Sequence, residues 1–125
     1  MHRRQLIAAT AATAATLVAP LAARAQDLPK KITIVVGFAA GGAADHAARV
    51  VAKRLADNLG ATVVIDNKAG AGGNIAHQQV SQAAPDGSVI LLGSVGPLSI
   101  APHLGKLGYD PVKDLAPLTM GMNFP

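Results

Sequence analysis

Three glycine-rich segments are the parts of this chain whose residue types could support binding chemistry. In the clearest one, residues 67–74, three glycines fall within four positions, and Asn74 at its end is a good helix N-cap. Glycine allows positive φ and a close approach of the backbone to a ligand. A glycine-rich turn that leads into a helix also presents free N–H groups at the positive end of the helix dipole. Such a segment suits a small anion, although a tight turn that binds nothing has the same composition.

Catalytic and cofactor-binding patterns are not matched. The dinucleotide pattern fails at Ile75, and the phosphate-loop pattern fails because Ala43 and Ala44 replace lysine and serine or threonine. The hydrolase elbow fails because Leu92 replaces its first glycine, although spacing alone leaves open a triad of Ser94 with a histidine. The histidines are scattered and cysteine is absent, so no metal-ligand spacing appears. The sequence therefore predicts no catalytic residue, no metal site and no cofactor.

The three glycine-rich segments each follow a short apolar run that predicts a buried strand, and each precedes a predicted helix. Repeated strand–loop–helix units imply parallel strands joined by right-handed crossovers. The loops then lie at the carboxyl edge of one sheet, where ligands of open α/β folds bind. A fourth strand is predicted to begin within residues 114–122. The alternating strands and helices are predicted over residues 32–36, 43–59, 61–65, 75–84, 88–92 and 98–104.

The first predicted helix has a clear end and one carboxylate near its start. Gly60 is a suitable C′ residue, and Asp45 lies in the first turn, where negative charge is favoured. Asp45 either caps that turn or contacts a ligand. His46 and His77 are predicted to be exposed on helices. The apolar stripe that should face the sheet is predicted from three- and four-residue spacing to contain Ala47, Val50, Val51, Leu55 and Leu59.

The formal charge of +4 could indicate an anionic macromolecule as partner. Arg3, Arg4 and Arg24 nevertheless lie in a segment that resembles a removable leader, and without them the balance is about +1. No cluster of basic residues with interleaved aromatics remains, so a nucleic-acid surface is not predicted. With 125 residues, the chain has room for one small domain at most.

Residues 1–25 are predicted to be an export signal peptide. Arg3 and Arg4 form the charged start, residues 6–23 form an apolar stretch, and residues 23–25 form an A-x-A-like cleavage site. The twin-arginine and general secretory routes both fit, and a membrane anchor is the alternative. Residues 26–125 are predicted to form an incomplete N-terminal α/β ligand-binding domain.

Several blocks of sequence resemble the N-terminal part of the substrate-binding proteins of tripartite tricarboxylate transporters, the Bug family. The blocks match in order and spacing at residues 32–45, 64–75, 84–87, 91–94 and 109–117. The resemblance implies a periplasmic, monomeric receptor with two α/β domains and a ligand cleft between them. It implies a small carboxylate as ligand, membrane permease subunits as partners, and no catalysis. Family members are much longer, so the chain is predicted to be truncated.

The resemblance also implies how a ligand is held. In the family, the first domain binds a ligand carboxylate through loop amides, small hydroxyl side chains and ordered water. Carried over to this chain, this binding mode predicts the following ligand-binding residues: Phe38, Ala39, Ala40, Gly41, Gly42, Ala43, Asp45, Ala71, Gly72, Gly73, Asn74, Ser94, Val95, Gly96 and Ser99.

Three other interpretations stay open: a periplasmic sensing or scavenging component that binds the same acids, a non-functional fragment, and a small esterase that uses Ser94.

Overall fold

A computed structural model describes residues 28–121, so the predicted signal peptide and its cleavage site lie outside the described residues. Strands and helices alternate in the predicted order. A π-helical turn, Gly96–Ile100, follows the third strand and continues into a short third helix. The strands and helices are β1 Lys31–Val36, α1 Ala43–Leu59, β2 Thr62–Asn67, α2 Asn74–Ser81, β3 Val89–Leu92 and α3 Ala101–Leu104.

The three strands form one parallel sheet in the order β2-β1-β3. Val36, the last residue of β1, pairs with Asn67 on one side and with Leu92 on the other, so all three strands end at the same level. The central strand is built of β-branched residues, and Val36 has no exposed surface. This burial on both faces is typical of parallel sheets covered by crossover helices. The predicted α/β architecture is confirmed.

Helices α1 and α2 cover opposite faces of the sheet. Ile34 and Val36 pack into one apolar cluster with Ala48 and Ala52 of α1. Because side chains alternate along a strand, the next position, Gly37, faces the other way, and a Cβ built on it would lie 3.4 Å from Ala76 Cβ of α2. In the strand order 2-1-3, the connection after β1 runs to one side of the sheet and the connection after β2 runs to the other, so the switch point lies between β1 and β3. Open α/β sheets bind ligands at the carboxyl ends of the strands beside such a point.

The predicted apolar stripe of α1 is wrong for most of its residues. Val50 and Val51 are 60% and 50% exposed, whereas Ala48 and Ala52 are buried against β1. Alanines four residues apart lie one above the other on a helix, and their small side chains allow α1 to approach the β-branched residues of the sheet closely. Of the predicted stripe, Leu55 packs against this buried cluster.

The ends of the elements also differ in part from the predictions. Gly60 ends α1 with φ of 61°, as predicted for a C′ glycine. Asn74, predicted as an N-cap, is instead the first residue of α2, which ends at Ser81 rather than at position 84. The predicted fourth strand is absent from residues 114–121, because that segment pairs with none of the three strands. Within residues 28–121, no helix combines the length and the apolar content that a bilayer crossing requires.

Candidate functional site

Three loops meet at the carboxyl edge of the sheet: loop 1 (residues 37–42), loop 2 (residues 68–73) and loop 3 (residues 93–97). Gly73 lies at their junction. A Cβ built on Gly37 would lie 3.0 Å from Gly73 Cα, which shows how closely loops 1 and 2 approach. A Cβ built on Gly73 would lie 3.3 Å from Pro97 Cγ and 3.7 Å from Ser94 Oγ of loop 3. The convergence of the three loops that the strand–loop–helix pattern predicts is therefore found in the structure.

Loop 1 is held by the carboxylate of Asp45, which is only 3% exposed. Its Oδ2 accepts hydrogen bonds from the Arg49 Nε at 2.9 Å and from the Gly41 amide at 2.8 Å, and its Oδ1 accepts one from the Asn67 side chain at 3.1 Å. The same Asn67 nitrogen lies 3.1 Å from the Phe38 carbonyl oxygen. The hydrogen bond from Arg49, then that from Gly41, lowers the pKa of Asp45 to about 2, against the opposing effect of burial.

These contacts assign internal roles to two of the predicted ligand-binding groups. The Gly41 N–H points to Asp45, and the Asp45 oxygens are occupied by donors of the protein itself. Asp45 therefore positions loop 1 in this structure, and its direct contact with a ligand stays a prediction. The backbone positions of loop 1 that remain on the surface are Phe38, Ala39, Ala40, Gly41, Gly42 and, at the start of α1, Ala43.

Helix α1 begins at loop 1 without a side-chain cap. The first intrahelical hydrogen bond runs from the His46 amide to the Gly42 carbonyl, at 3.0 Å, and Gly42 itself is extended with φ of −80°. The amides that precede His46 in the helix, beginning with that of Ala43, lack acceptors one turn back, as in every α-helix. They lie at the positive end of a 17-residue helix dipole, directly after loop 1. This end of α1 favours an anion.

Loop 2 has a backbone that only glycine adopts easily. Gly70, Gly72 and Gly73 have φ of 143°, 64° and 97°, and Ala71 is the one non-glycine residue with positive φ in the described part of the chain. The Gly73 amide donates to the Gly70 carbonyl at 2.9 Å, and the Asn74 side-chain nitrogen donates to the Ala71 carbonyl at 2.9 Å. These bonds close a tight turn whose residues Ala71 and Gly72 are exposed while Gly73 is buried.

His77, predicted to be exposed, is fully buried and lies between loops 2 and 3. Its Nδ1 is 2.9 Å from the Gly73 carbonyl oxygen, which can only accept, so Nδ1 carries a proton. Its Nε2 lies 3.5 Å from the amide nitrogen of Ser94, a donor. Burial lowers the pKa of His77, and the Gly73 carbonyl opposes this effect in part. The imidazole is thus neutral and bonds to both loops. His46 is exposed, as predicted.

Tyr109 joins the start of α2 to loop 3 from a distant part of the chain. Its hydroxyl lies 2.9 Å from Asn74 Oδ1 and 3.0 Å from the Pro97 carbonyl oxygen, and its ring is 8% exposed. Because the Ala71 carbonyl requires the Asn74 nitrogen, the Asn74 oxygen faces the hydroxyl. Sequence reasoning missed this supporting role. The signal was available, since Tyr109 is the only tyrosine in a chain that is poor in aromatic residues.

The predicted residues of loop 3 differ in their positions. Ser94 Oγ is buried at the loop junction and has no hydrogen-bond partner among the described residues. Val95 is 70% exposed, and Gly96 begins the π-helical turn. Ser99 lines an open depression of about 490 Å³ between α3 and residues 105–112, and none of the residues that line it belongs to loops 1 or 2. The structure thus brings Ser94, but not the wall that contains Ser99, to the loop junction.

The model of the tripartite tricarboxylate transporter family receptor matches residues 47–124. The chain belongs to this receptor family. The resemblance of its sequence blocks is therefore confirmed. Members of the family are solute-binding receptors rather than enzymes, which confirms that prediction and removes the esterase alternative.

Similar proteins and structures agree with this assignment. A UPF0065 protein of Bordetella pertussis is 41% identical over 86% of this chain and 34% of its own length. The structure of the periplasmic binding protein BugD is 48% identical, with a TM-score of 0.63 over 67% of this chain and 28% of that one. MatC of Rhodopseudomonas palustris with bound malate is 42% identical, with a TM-score of 0.63 over 67% of this chain and 29% of that one. The chain spans about a third of the length of the curated relatives it matches.

Proposed function

We propose that this chain is the ligand-binding part of a receptor for small carboxylate-bearing anions that serves a tripartite tricarboxylate-type transporter. The observation that carries the proposal is the junction at Gly73, where loops 1, 2 and 3 meet, together with the uncapped start of α1 directly after loop 1. Backbone amides and a helix dipole bind anions without a cationic side chain. The bound malate in the similar MatC structure supports a carboxylate as the ligand class.

The contacts in this proposal divide into those that bind and those that hold the loops. The backbone amides of the exposed residues Ala71 and Gly72, together with the first amides of α1, are suited to the oxygens of a carboxylate. The Ser94 hydroxyl, which has no hydrogen-bond partner among the described residues, lies at the loop junction near Gly73 and is the candidate side-chain donor to the same carboxylate. Asp45 keeps loop 1 in place and does not repel the ligand at contact distance, because its oxygens are turned toward donors of the protein. The remaining predicted residues of the loops complete the surface around this group.

The location and partners of the receptor are also part of the proposal. The family and its structural neighbours are periplasmic binding proteins, which supports export by a signal peptide at residues 1–25. A receptor of this family would act as a monomer and deliver its ligand to membrane permease subunits. Closure of a second domain over the ligand would complete the cleft in a receptor of full family length.

Calorimetric titration of the chain, and of the same chain extended to the length of its relatives, tests the ligand class. L-malate, succinate, citrate and glutamate are titrated beside the neutral diamide of succinic acid, which keeps the shape but removes the charge. Saturable heat with an acid and none with the diamide is the expected result. Absence of saturable binding of every acid to both proteins would refute the proposal.

A matched pair of serine variants tests the predicted contact of Ser94. Ser94→Ala removes a hydroxyl at the loop junction and should weaken L-malate binding by about tenfold or more, because a hydrogen bond to a charged group contributes about 1.5–3 kcal/mol. Ser81→Ala removes the same group at the far end of α2 and should leave the affinity unchanged. Equal effects of the two variants would argue against a ligand contact at Ser94.

A further inference from the structure

We propose that His77 is a positioning residue that holds loops 2 and 3 together only while its imidazole is neutral, so that acid loosens the loop junction and weakens carboxylate binding there. The binding half of this inference rests on the proposed function. The structural half concerns the chain alone and can be tested without a ligand. No motif in the sequence indicates this role, which depends on where the fold places the ring.

The geometry makes His77 a link between two loops. The ring has no exposed surface, its Nδ1–H donates to the Gly73 carbonyl at 2.9 Å, and its Nε2 lies 3.5 Å from the Ser94 amide nitrogen. A Cβ built on Gly93 would lie 3.5 Å from the same Nε2, so loop 3 packs directly on this edge of the ring. The Nε2 lone pair therefore accepts the hydrogen bond that the Ser94 amide of loop 3 donates.

Protonation would turn that acceptor into a donor. A charged imidazole carries N–H groups on both nitrogens, so the new Nε2–H would point at the Ser94 N–H. No carboxylate faces the ring among the described residues that pack on it. Loop 3 presents Gly93 and Ser94, the turn before α2 presents the Gly73 carbonyl, and Tyr109 presents a neutral phenol ring whose centroid is 6.0 Å away. A buried cation without a counter-charge is strongly unfavourable.

Loop 3 should move because its contact with the ring is the weaker one. The 2.9 Å bond to the Gly73 carbonyl survives protonation and becomes charge-assisted, whereas the 3.5 Å contact to Ser94 becomes repulsive. The Tyr109 hydroxyl still ties the Pro97 carbonyl to the start of α2. Displacement should therefore be local to Gly93 and Ser94 rather than a loss of the whole fold.

The sign of the pH effect follows from burial. Burial lowers the pKa of His77 below the ordinary value of about 6.5, so the folded chain resists protonation and the unfolded chain takes up the proton first. The stabilisation from the neutral link is complete above about pH 6.5 and is lost as the pH falls through the lower, folded-state pKa. Ligand that requires the closed junction should bind more weakly over the same range.

The ligand-free test is nuclear magnetic resonance of the chain labelled with ¹⁵N, between pH 8 and pH 4.5. At pH 8, His77 should show a protonated Nδ1 and an unprotonated Nε2. As the pH falls, the amide signals of Gly93 and Ser94 should shift with the same midpoint as the His77 ring, and that midpoint should lie below 6.5. A protonated Nε2 at pH 8, or a Ser94 amide that does not follow the ring, would overturn the proposal.

The binding test compares two histidine variants with L-malate as probe. In the unmodified chain and in His46→Gln, an exposed control, malate affinity should fall between pH 7.5 and pH 5 by more than the ionisation of malate itself explains. In His77→Gln, which cannot take up a proton, this extra loss should disappear while any ionisation of malate itself remains. An identical pH profile in His77→Gln would overturn the link to binding. Failure of malate to bind at any pH would count against the proposed function, and the ring and amide titration would still decide the link itself.

Discussion

Gly37→Ala probes the closest approach at the loop junction. The added methyl carbon would lie 3.0 Å from Gly73 Cα, 3.3 Å from the Gly73 carbonyl oxygen and 3.4 Å from Ala76 Cβ. Carbon atoms pack best at about 3.5–4.0 Å, so loops 1 and 2 must separate by about 0.5 Å or more. Gly37 does not have a positive φ, so alanine can adopt its backbone conformation. The free-energy cost of Gly37→Ala is therefore steric.

The size of the effect follows from these distances. Inserting one methyl into a well-packed site typically costs about 1–3 kcal/mol, and here backbone atoms rather than a flexible side chain must move. We expect the free energy of unfolding, measured by urea titration with circular dichroism, to fall by about 1–2 kcal/mol. L-malate affinity, measured by calorimetry, should fall about tenfold, equivalent to about 1.4 kcal/mol, because the loop amides no longer converge.

Gly105→Ala is the matched control, because a Cβ built on Gly105 meets no atom within 4 Å and the residue is extended with φ of 177°. Its free energy of unfolding should change by less than about 0.5 kcal/mol, and its malate affinity should not change. The reasoning would be refuted if Gly37→Ala matched this control in both measurements. Loss of stability with full malate affinity would refute the claim that the spacing of loops 1 and 2 controls binding.

Two further predictions concern α1. Ala48→Leu should lower the free energy of unfolding in urea by about 1–3 kcal/mol, whereas Val51→Leu should change it by less than about 0.5 kcal/mol; the reverse order would mean that α1 buries the stripe inferred from spacing. Asp45→Asn should destabilise the chain at pH 7 while Asp57→Asn, on the same helix, should not. Because the pKa of Asp45 is held at about 2, below its ordinary value, its stabilisation should be lost as the pH falls from about 4 to 2, and thermal unfolding of Asp45→Asn should lack that component.

The order of the elements could be predicted because it depends on neighbouring residues. The β-branched run in β1 is recognisable by composition, and Gly60 ends α1 because glycine tolerates the left-handed conformation found there. Parallel pairing followed from the alternation of strands and helices, and with it the placement of three loops at one edge. Both ends of α1 were predicted correctly, whereas other strand and helix ends shifted by one to three residues, since a helix or ladder ends where its last hydrogen-bond partner is found.

Contacts between distant residues could not be predicted in the same way. The buried side of α1 was misjudged because alanine, valine and leucine occur around much of the helix, so spacing permits more than one apolar face. His77 was assigned to the surface because histidine is polar, yet its two partners satisfy both ring nitrogens, and Ser94 is 17 residues away. Asn74 would cap a helix in isolation, but its side chain bonds to Tyr109, 35 residues later.

The sequence by itself therefore determined the succession of parallel strands, the glycine-rich turns and the family to which the chain belongs. These properties follow from local backbone preferences and from short blocks of residues in a fixed order. Only the tertiary structure decided which amides and side chains meet at Gly73, which carboxylate accepts hydrogen bonds from other groups of the protein, and which histidine is buried. The physical reason is that burial and hydrogen-bond partners are supplied by segments far apart in the chain, which come together only when the sheet and its crossover helices form.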